Sequence, residues 1–402
     1  MTPHETADRR LIVASAGLRA AAVGLTGVML AIHLATLGLT AAAIGLAISL
    51  GLAGTAIGTL IVTQAADRFG RRVTLALLGL LMGLGGLVLA FAPYPPFLMA
   101  GVLIGMVNGM GRDRGPGMTV EQAMLPRTTT SAGRTGAFAW YNVVVDAGHA
   151  MGSLLGGLPA FLRAHAHCAP SASYQWVWVL YSGLCFLMGL VALRLSTAVE
   201  LTTVPTRTPL SPASRSVVAK FAALQGLDSL GGGFLTSALV GYWFLKRFGV
   251  GEAFLGPLFF TVRVLNGLSH LGAAWLAKRI GLVNTMVWTH LPSSVLLMTV
   301  PIAPSLGVAV TLFLLREALV EMDVPTRQSY LVAVVRDEER TKASGIANLT
   351  RGVAWAVAPS LAGPLMQTVS LSAPLLIGPG LKIAYDVLLY RAFRHLKPPE
   401  ER

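Results

Sequence analysis

The sequence predicts an all-α integral membrane protein with twelve transmembrane helices, and three observations support this fold class. Apolar stretches of roughly 20 residues, the length that crosses a ~30 Å hydrocarbon core, follow one another from Leu11 to Leu396. Only 12% of the 402 residues are charged and 54% are hydrophobic, whereas soluble domains carry about 25% charged residues. Lys and Arg side chains are concentrated in every second connection, which fixes a membrane topology.

The predicted spans form two sets of six on either side of a polar linker. The linker at 196–215 is rich in Thr and Ser and contains three prolines, so it is expected to separate an N-terminal bundle at 1–195 from a C-terminal bundle at 216–402. The first six spans are predicted at 11–37, 41–66, 72–93, 96–125, 136–162 and 174–195. The second six are predicted at 216–246, 253–277, 282–303, 306–335, 342–369 and 373–396.

The charge distribution orients these spans. The tails and the even-numbered connections hold most of the basic residues, namely Arg9, Arg10, Arg68, Arg71, Arg72, Arg127, Arg134, Arg194, Arg207, Arg215, Lys220, Lys278, Arg279, Arg336, Arg340, Lys342, Arg391, Arg394, Lys397 and Arg402. The odd-numbered connections hold only Arg163, Lys246 and Arg247. Because basic connections stay in the cytoplasm, both termini are predicted to be cytoplasmic. The net charge of +13 then reflects this bias and contact with anionic lipid, and nucleic acid is not expected as a partner.

Several functional classes lack support in the sequence. There is no Gly-x-x-x-x-Gly-Lys-Ser/Thr loop for ATP-driven transport, and no Ser/His/Asp or His-x-x-x-His spacing for an enzyme. No cofactor or metal is expected, because the i,i+3 pair Asp146 and His149 offers too few ligands. Cys168 and Cys185 have no metal-ligand spacing and do not suggest a disulfide framework. The short polar segment Met1–Arg10 precedes a full-length span, so no cleavable signal peptide is expected.

The two halves of the chain share short patterns. Residues 66–70, Ala-Asp-Arg-Phe-Gly, end span 2, and residues 277–281, Ala-Lys-Arg-Ile-Gly, end span 8. An Arg-Thr pair precedes span 5 at 134–135 and span 11 at 340–341, each followed by an Asn inside the span. Weak symmetry of this kind predicts duplicated six-helix bundles with a binding site between them.

The connection after span 2 reads Ala-Asp-Arg-Phe-Gly-Arg-Arg over 66–72 and resembles the signature loop of the major facilitator superfamily, Gly-x-Leu-Ala-Asp-Arg-x-Gly-Arg-Arg. Thr63 stands where that family usually has its first Gly. The resemblance covers essentially the whole chain and implies a monomeric secondary transporter that works by alternating access. A carboxylate can pair with an Arg or cap a helix, and a Gly permits a tight turn. The loop is therefore predicted to be a gate, with candidate residues Asp67, Arg68, Gly70, Arg71 and Arg72.

Span 5 contains a second pattern, Gly-His-Ala-Met-Gly-Ser-Leu-Leu-Gly-Gly over 148–157. It is similar to the Gly-x-x-x-Gly-Pro-x-x-Gly-Gly motif of proton-coupled drug-efflux antiporters in the same superfamily, with Ser153 in place of the Pro. The resemblance implies that Gly148, Gly152, Gly156 and Gly157 mark an antiporter. The alternative is close helix packing, for which small residues spaced four apart are the general solution in membranes.

Ionisable side chains at membrane depth are functional candidates because burying a charge there is expensive. The spans contain eight basic residues, Arg19, Arg112, Arg114, Arg263, Arg316, Arg327, Arg351 and Lys382. They also contain eight acidic residues, Asp113, Glu121, Asp146, Asp228, Glu317, Glu321, Asp323 and Asp386. The equal numbers predict pairing, and Lys382 and Asp386 could neutralise each other at i,i+4. His33, His270 and His290 are predicted to be interior polar contacts.

Proton coupling needs a carboxylate whose proton affinity responds to burial and to a nearby cation. Asp228 and Asp113 are the first candidates, followed by Asp146 and Glu317. Asp228 precedes the run Gly231–Gly233, and Asp113 precedes Gly115-Pro116-Gly117; both glycine-containing segments are expected to interrupt their helices.

The leading functional hypothesis is proton-coupled export of a small organic solute by a transporter of the plasma (inner) membrane. The alternative is import or exchange of an organic anion, since clustered Arg side chains recognise carboxylate or phosphate. The Arg candidates for that role are Arg19, Arg112, Arg114, Arg263, Arg316 and Arg351. A non-transporting receptor or scaffold built on the same fold is the third possibility. The expected partners are the solute, protons and membrane lipid.

Overall fold

The computed structural model describes residues 3–92, 94–112, 115–130, 133–200, 211–322 and 340–393. Within these ranges all regular structure is helical, which confirms the all-α class. Five described helices are long and apolar enough to cross a membrane, namely Glu5–Thr36, Ala41–Phe69, Arg71–Phe91, Pro170–Leu193 and Ala373–Phe393. They support the assignment as a membrane protein, while twelve crossings and cytoplasmic termini stay predictions.

The helices of the first half lie at the predicted spans, with two spans divided. Their bounds are α1 Pro3–Thr36, α2 Ala41–Phe69, α3 Arg71–Phe91, α4 Pro95–Ile104, α5 Pro116–Met124, α6 Arg134–Leu155, α7 Leu158–His165 and α8 Pro170–Leu193. Helix α2 begins after Thr40, whose hydroxyl accepts from the Ala43 amide, as expected for an N-cap. It ends at Phe69, and the following Gly70, with a φ of 93° that favours glycine, turns the chain directly into α3.

The helices of the second half are α9 Pro212–Gly233, α10 Ser237–Phe248, α11 Glu252–Ile280, α12 Leu282–Thr299, α13 Leu306–Val320, α14 Arg340–Thr368 and α15 Ala373–Phe393. The predicted break at Gly231–Gly233 is confirmed, because α9 ends at Gly233 and α10 begins at Ser237. Thr236 caps α10 by accepting from the Leu239 amide. Asp323 and Arg327, predicted in span 10, lie outside the described residues.

The interruption of span 4 is wider than the predicted break at Gly115–Gly117. Helix α4 ends at Ile104 and α5 begins at Pro116, so Arg112 lies in a non-helical segment and not in mid-helix as predicted. Met106 and Gly111 have φ of 54° and 68°. The Asn108 carbonyl accepts from the Thr26 hydroxyl at 2.7 Å. Side chains of the protein thus satisfy backbone groups that a broken membrane helix would leave unpaired.

The chain forms two compact units. The first comprises Met1–Pro205 with Thr236–Arg263, and its core contains the buried aromatic side chains Tyr141, Trp178 and Tyr181. The second comprises Thr206–Leu235 with Val264–Arg402. Its core includes Val218, Phe221, Val283, Met286, Val287, Ala343, Ala347, Tyr385, Leu389 and Phe393. The predicted division at the 196–215 linker stays a prediction.

Candidate functional site

Four charged or titratable side chains meet inside the second unit. This charged quartet consists of Asp228 on α9, His290 on α12, and Lys382 and Asp386 on α15. The Lys382 Nζ donates to Asp228 Oδ1 at 2.7 Å and lies 3.3 Å from His290 Nε2. The other ring nitrogen, His290 Nδ1, lies 3.0 and 3.1 Å from the two carboxylate oxygens of Asp386. The structure therefore gives Lys382 and Asp386 different partners, although the two are i,i+4 on one helix.

Glycines allow α9 and α15 to approach closely enough for the Asp228–Lys382 pair to form. A Cβ built on Gly231 would lie 2.7 Å from the Gly378 carbonyl oxygen, and one on Gly378 would lie 2.9 Å from the Gly231 carbonyl oxygen. Any larger residue at either position would force the helices apart. The Gly231–Gly233 run thus has a packing role in addition to ending α9.

The charged quartet is deeply buried. The exposed fractions are 5% for Asp228, 1% for His290, 7% for Lys382 and 0% for Asp386. With a neutral imidazole the quartet carries two negative charges and one positive charge, so its net charge is −1. One added proton makes it neutral. Removal of one charged member would leave an uncompensated buried charge, which is strongly unfavourable.

The hydrogen-bond network assigns the tautomer of His290. Its Nδ1 faces the Asp386 carboxylate, which only accepts hydrogen bonds, so Nδ1 carries the hydrogen. Its Nε2 faces the Lys382 ammonium, which only donates, so Nε2 presents its lone pair. The same Nε2 lies 3.7 Å from Asp228 Oδ1, beyond hydrogen-bond range. The Lys382 ammonium thus bridges two atoms that could otherwise share a proton.

Sequence reasoning missed His290, which was predicted to be an ordinary polar contact. The signal was available, because the rule that singles out intramembrane carboxylates applies equally to a histidine inside an apolar helix. The Asp228 prediction, by contrast, led directly to this cluster. Its companion candidate Asp113 lies outside the described residues, as does Arg114.

A second buried cluster lies in the first unit and ties α1, α5 and α6 together. The Arg19 guanidinium donates to both oxygens of Glu121, from Nη2 at 2.6 Å and from Nε at 3.3 Å. The Tyr141 hydroxyl donates to Glu121 Oε2 at 2.8 Å, and the Ser15 hydroxyl donates to Oε1 at 3.2 Å. Arg19 compensates a fully buried carboxylate, and its predicted role in substrate binding stays a prediction.

The other predicted anion-binding Arg residues have separate partners. In the first unit, Arg263 Nη2 donates to the Ser237 hydroxyl at 2.9 Å, and Arg112 is half-buried. In the second unit, Arg316 forms an ion pair with Glu317. Arg351 Nε donates to the Ser229 hydroxyl at 3.4 Å. Within each unit, the described contacts do not gather these residues into one Arg cluster.

The two remaining described proton-coupling candidates, Glu317 and Asp146, lie in different surroundings. Glu317 is buried, but its partners are the adjacent Arg316 and the Asn266 amide, which donates to Oε2 at 3.0 Å. Asp146 is exposed on α6, so the burial that made it a candidate is absent. Its i,i+3 neighbour His149 is buried.

The glycine pattern of span 5 serves close packing between α1 and α6. A Cβ on Gly152 would lie 2.0 Å from the Ala21 carbonyl oxygen, and one on Gly148 would lie 2.7 Å from the Gly17 carbonyl oxygen. A Cβ on the next glycine, Gly156, would lie 2.6 Å from Val28 Cβ. Gly156 and Gly157 separate α6 from α7 and divide predicted span 5. The alternative based on small-residue packing accounts for this pattern.

The predicted gating loop is built around Arg71. This side chain is buried; its Nε donates to Asp67 Oδ1 at 2.9 Å and its Nη1 donates to the Ala123 carbonyl at 3.0 Å. Arg68, assigned with Asp67 and Gly70 to the gate, is exposed. Arg71 is thus the buried member of the predicted gate, and the gating role of the loop stays a prediction.

Glu200 completes the loop and was missed in the sequence. Its carboxylate accepts from the Arg71 amide at 2.6 Å and from the Arg72 amide at 3.1 Å, so it caps the N-terminus of α3. A carboxylate at this position satisfies unpaired amides and interacts favourably with the helix dipole. Arg72 also donates from Nη2 to the Leu193 carbonyl at 3.4 Å. The sequence did contain one indication of this contact. Glu200 is an acidic residue near the start of the linker, which is predicted to lie on the same side of the membrane as the basic 66–72 loop.

A family model described as Major Facilitator Superfamily matches residues 12–359. The chain belongs to the Major Facilitator Superfamily. This agrees with the resemblance of the 66–72 loop and supports a secondary transporter of a small molecule. A curated relative, an uncharacterized membrane protein of Saccharomyces cerevisiae, is 29% identical over 416 aligned residues, which cover 95% of this chain and 93% of the relative.

Solved structures of several transporters share the fold. The nucleoside transporter NupG superimposes with a TM-score of 0.72 at 14% identity, covering 98% of this chain and all of that chain. A D-xylose-proton symporter gives a TM-score of 0.73 at 15% identity, covering 95% and 96% of the two chains. A bacterial homologue of the human lysosomal transporter Spinster gives 0.72 at 14% identity, covering 98% and 96%. These likenesses establish the fold alone, and membership of the drug-efflux branch stays a prediction.

Proposed function

We propose that the chain is a proton-coupled secondary active transporter of a small organic solute, in which the charged quartet binds the proton. Membership of the Major Facilitator Superfamily supports secondary transport. The proposal includes twelve membrane crossings, cytoplasmic termini, alternating access and a location in the plasma membrane. The observation that carries the proton coupling is the Lys382 ammonium between His290 Nε2 and Asp228 Oδ1.

The chemistry of the quartet favours two discrete states. In one, Lys382 bridges His290 and Asp228, as in this structure. In the other, a proton on His290 Nε2 is donated to Asp228, and Lys382 turns elsewhere. Imidazole is the side chain whose ordinary titration falls between pH 5 and 8. A solute or conformation that prefers one state over the other is therefore coupled to the proton concentration.

The direction of transport is a separate question. Export was predicted from the glycine pattern at 148–157, and the packing of α1 against α6 accounts for those glycines without it. Export therefore stays a prediction, and the sign of the proton flux that accompanies solute movement tests it.

The experiment uses everted membrane vesicles with an acid interior, whose proton gradient is read by a quenched dye. Lipophilic cations, neutral drugs, carboxylates and phosphorylated metabolites are added one at a time. We expect at least one class to change the quenching through the wild-type protein, and Asp228→Asn to abolish this response because it removes the proton-sharing carboxylate. Release of quenching indicates antiport.

Asp146→Asn is the matched control, since it neutralises another intramembrane carboxylate that is exposed and outside the quartet. We expect it to respond like the wild type. A normal response in Asp228→Asn, at equal membrane abundance, would show that the quartet does not couple protons.

A further inference from the structure

The segment Thr236–Arg263 belongs to the first compact unit, although the sequence predicts it in the second six-helix bundle. It contains α10, the turn at Gly249 and the first part of α11, and we call it the α10–α11 segment. Its place in the first unit comes from contacts with the first half of the chain. The structure gives such contacts at three points along the segment.

The start of α10 pairs with the interruption of span 4. The Ala238 amide donates to the Gly109 carbonyl at 2.9 Å, and the Ser237 hydroxyl donates to the Met110 carbonyl at 3.1 Å. The first amides of a helix have no partner within it, and carbonyls of a non-helical membrane segment need partners from the protein or from water. The two interrupted spans therefore satisfy each other's backbone groups while the α10–α11 segment is docked.

The start of α11 is held by an ion pair and its hydrogen-bond partners. Glu252, the first residue of α11, is 4% exposed and forms an ion pair with Arg163 on α7. The same carboxylate accepts from the Tyr174 hydroxyl on α8 at 3.1 Å. Arg163 Nη1 donates in turn to the Ser173 hydroxyl at 3.0 Å. We call Arg163, Ser173, Tyr174 and Glu252 the Glu252 clamp.

One turn further along α11, two glycines bring backbones into contact. A Cβ built on Gly256 would lie 3.2 Å from both the Gly157 amide nitrogen and the Ser153 carbonyl oxygen. One built on Gly157 would lie 3.2 Å from the Glu252 carbonyl oxygen. A methyl group at either glycine would therefore require the end of α6 and the start of α11 to move slightly apart.

Helix α8 shows where the Glu252 clamp lies along the unit. Tyr174, near the start of α8, belongs to the clamp, whereas Leu193 at the end of α8 accepts from Arg72 of the α2–α3 connection. At 1.5 Å per residue the clamp and that connection lie roughly 30 Å apart, about the thickness of a hydrocarbon core. Because the basic α2–α3 connection is predicted to be cytoplasmic, the clamp is predicted to lie at the outer face.

We propose that Glu252 is the latch of an outer gate, which the α10–α11 segment forms by docking on α6, α7 and α8. This rests on the proposed function, because alternating access requires the outer end to open and close. In the closed state the ion pair compensates a carboxylate that has almost no access to solvent. When the gate opens, the Glu252–Arg163 ion pair and the Tyr174 hydrogen bond break, and water hydrates both charges.

The two members of the ion pair differ in exposure, which predicts unequal effects. The Arg163 side chain is 30% exposed and the Glu252 side chain 5%. Glu252→Gln keeps an acceptor for Tyr174 and leaves a guanidinium that solvent can reach, so it should weaken the closed state moderately. Arg163→Gln leaves an unpaired carboxylate in the closed state, where an uncompensated charge is costly, so it should favour the open state more.

The test measures how fast a membrane-impermeant maleimide labels a reporter cysteine from outside intact cells. The reporter is Ser153→Cys in a full-length chain that also carries Cys168→Ser, because Ser153 is 1% exposed and borders the start of α11. The chain with Cys168→Ser alone gives the background from the buried Cys185. We expect slow labelling of the reporter chain, severalfold faster labelling with Glu252→Gln and still faster labelling with Arg163→Gln.

Gly256→Ala tests the backbone contact without changing a charge. It should also speed labelling, because the added methyl group crowds α6 only in the docked state. Alanine is the better helix former, so lost folding would not explain that result. Gly267→Ala on the same helix is the matched control, since its Cβ would meet nothing within 4 Å. Arg247→Gln is the control for charge, because this Arg is exposed on α10. Both controls should label like the reporter chain.

The outcomes separate this inference from the proposed function. Unchanged labelling in Glu252→Gln and Arg163→Gln, at equal membrane abundance, would show that the Glu252 clamp is not a latch, and a lower Tm alone would assign it to stability. Faster labelling in everted vesicles but not in intact cells would contradict an outer gate. Proton flux abolished by Asp228→Asn, with unchanged labelling, would leave the proposed function intact while this inference fails. Faster labelling without any solute-driven proton flux would support the latch and contradict proton coupling instead.

Discussion

His290 differs from a histidine that merely fills an interior because its two ring nitrogens face opposite kinds of partner. Asp386 holds the hydrogen on Nδ1, and the Lys382 ammonium holds the lone pair of Nε2. Both contacts are those of the neutral imidazole. A proton on Nε2 removes the lone pair that faces Lys382 and gives the ring a donor for Asp228. The ring can therefore switch between two sets of partners.

Replacing His290 by Gln should abolish the pH dependence of transport between pH 5 and 8. Gln can still accept from Lys382 through its amide oxygen, but it does not titrate. The wild-type rate should change across this range, because a proton on Nε2 displaces the Lys382 contact. Initial rates of solute uptake into proteoliposomes at a series of pH values measure this. His149→Gln, a buried histidine on α6, should keep the wild-type profile, and an unchanged profile in His290→Gln would show that the proton binds elsewhere.

Asp228 could be predicted from the sequence, and its partners could not. The cost of placing a charge in an apolar helix depends on that helix alone. Asp228 could therefore be recognised from the sequence of its own span. Asp228 and Lys382, however, are separated by 154 residues, and the glycines that let α9 and α15 meet have no sequence signal that names the facing helix. The exposure of Asp146 was equally invisible, because it depends on which face of α6 packs against α1.

At the scale of elements, the α2–α3 connection joins four segments through one residue, Arg71. Arg71 contacts Asp67 on α2, the Ala123 carbonyl on α5 and, through its amide, Glu200 after α8. The Gly70 turn at φ 93° places Arg71 at the first position of α3. The loop motif could be read from the sequence, whereas Glu200 could not be linked to it without knowing that the two connections meet.

Asp67→Asn and Glu200→Ala should both slow turnover and leave KM within about twofold of the wild type. Each removes an anchor of Arg71 from a loop predicted to act as a gate and not as a binding site. Loss of an interaction of about 1 kcal/mol corresponds to a roughly fivefold slower step. Steady-state transport kinetics in proteoliposomes give kcat and KM, with the exposed Arg68→Gln as control. A large rise in KM with unchanged kcat would mean that the loop contributes to solute affinity.

At the scale of the whole molecule, the positions of the helices could be predicted because span length and apolar composition are local constraints. The assignment of the helices to the two compact units could not be predicted. Helices α9 and α10 come from one predicted span, yet they belong to different units, and α11 is divided at Arg263. Unit membership depends on side-chain packing between distant segments. The break in span 4 was predicted, but its width was missed for the same reason, because its backbone groups are satisfied by residues such as Thr26 on another helix.

The first unit also contains the buried ion pair Arg19–Glu121. Variants of Arg19 distinguish a role in stability from a role in transport. Arg19 and Glu121 are 1% and 0% exposed, and breaking a buried pair leaves an uncompensated charge at a cost of about 3–5 kcal/mol. Glu121→Gln and Arg19→Gln should each lower the free energy of unfolding by about that amount, and the double variant should recover part of the loss. Denaturant unfolding of the purified protein gives the three values. If instead Arg19→Gln unfolds like the wild type but fails to transport a carboxylate, the guanidinium acts on the solute, as the sequence predicted.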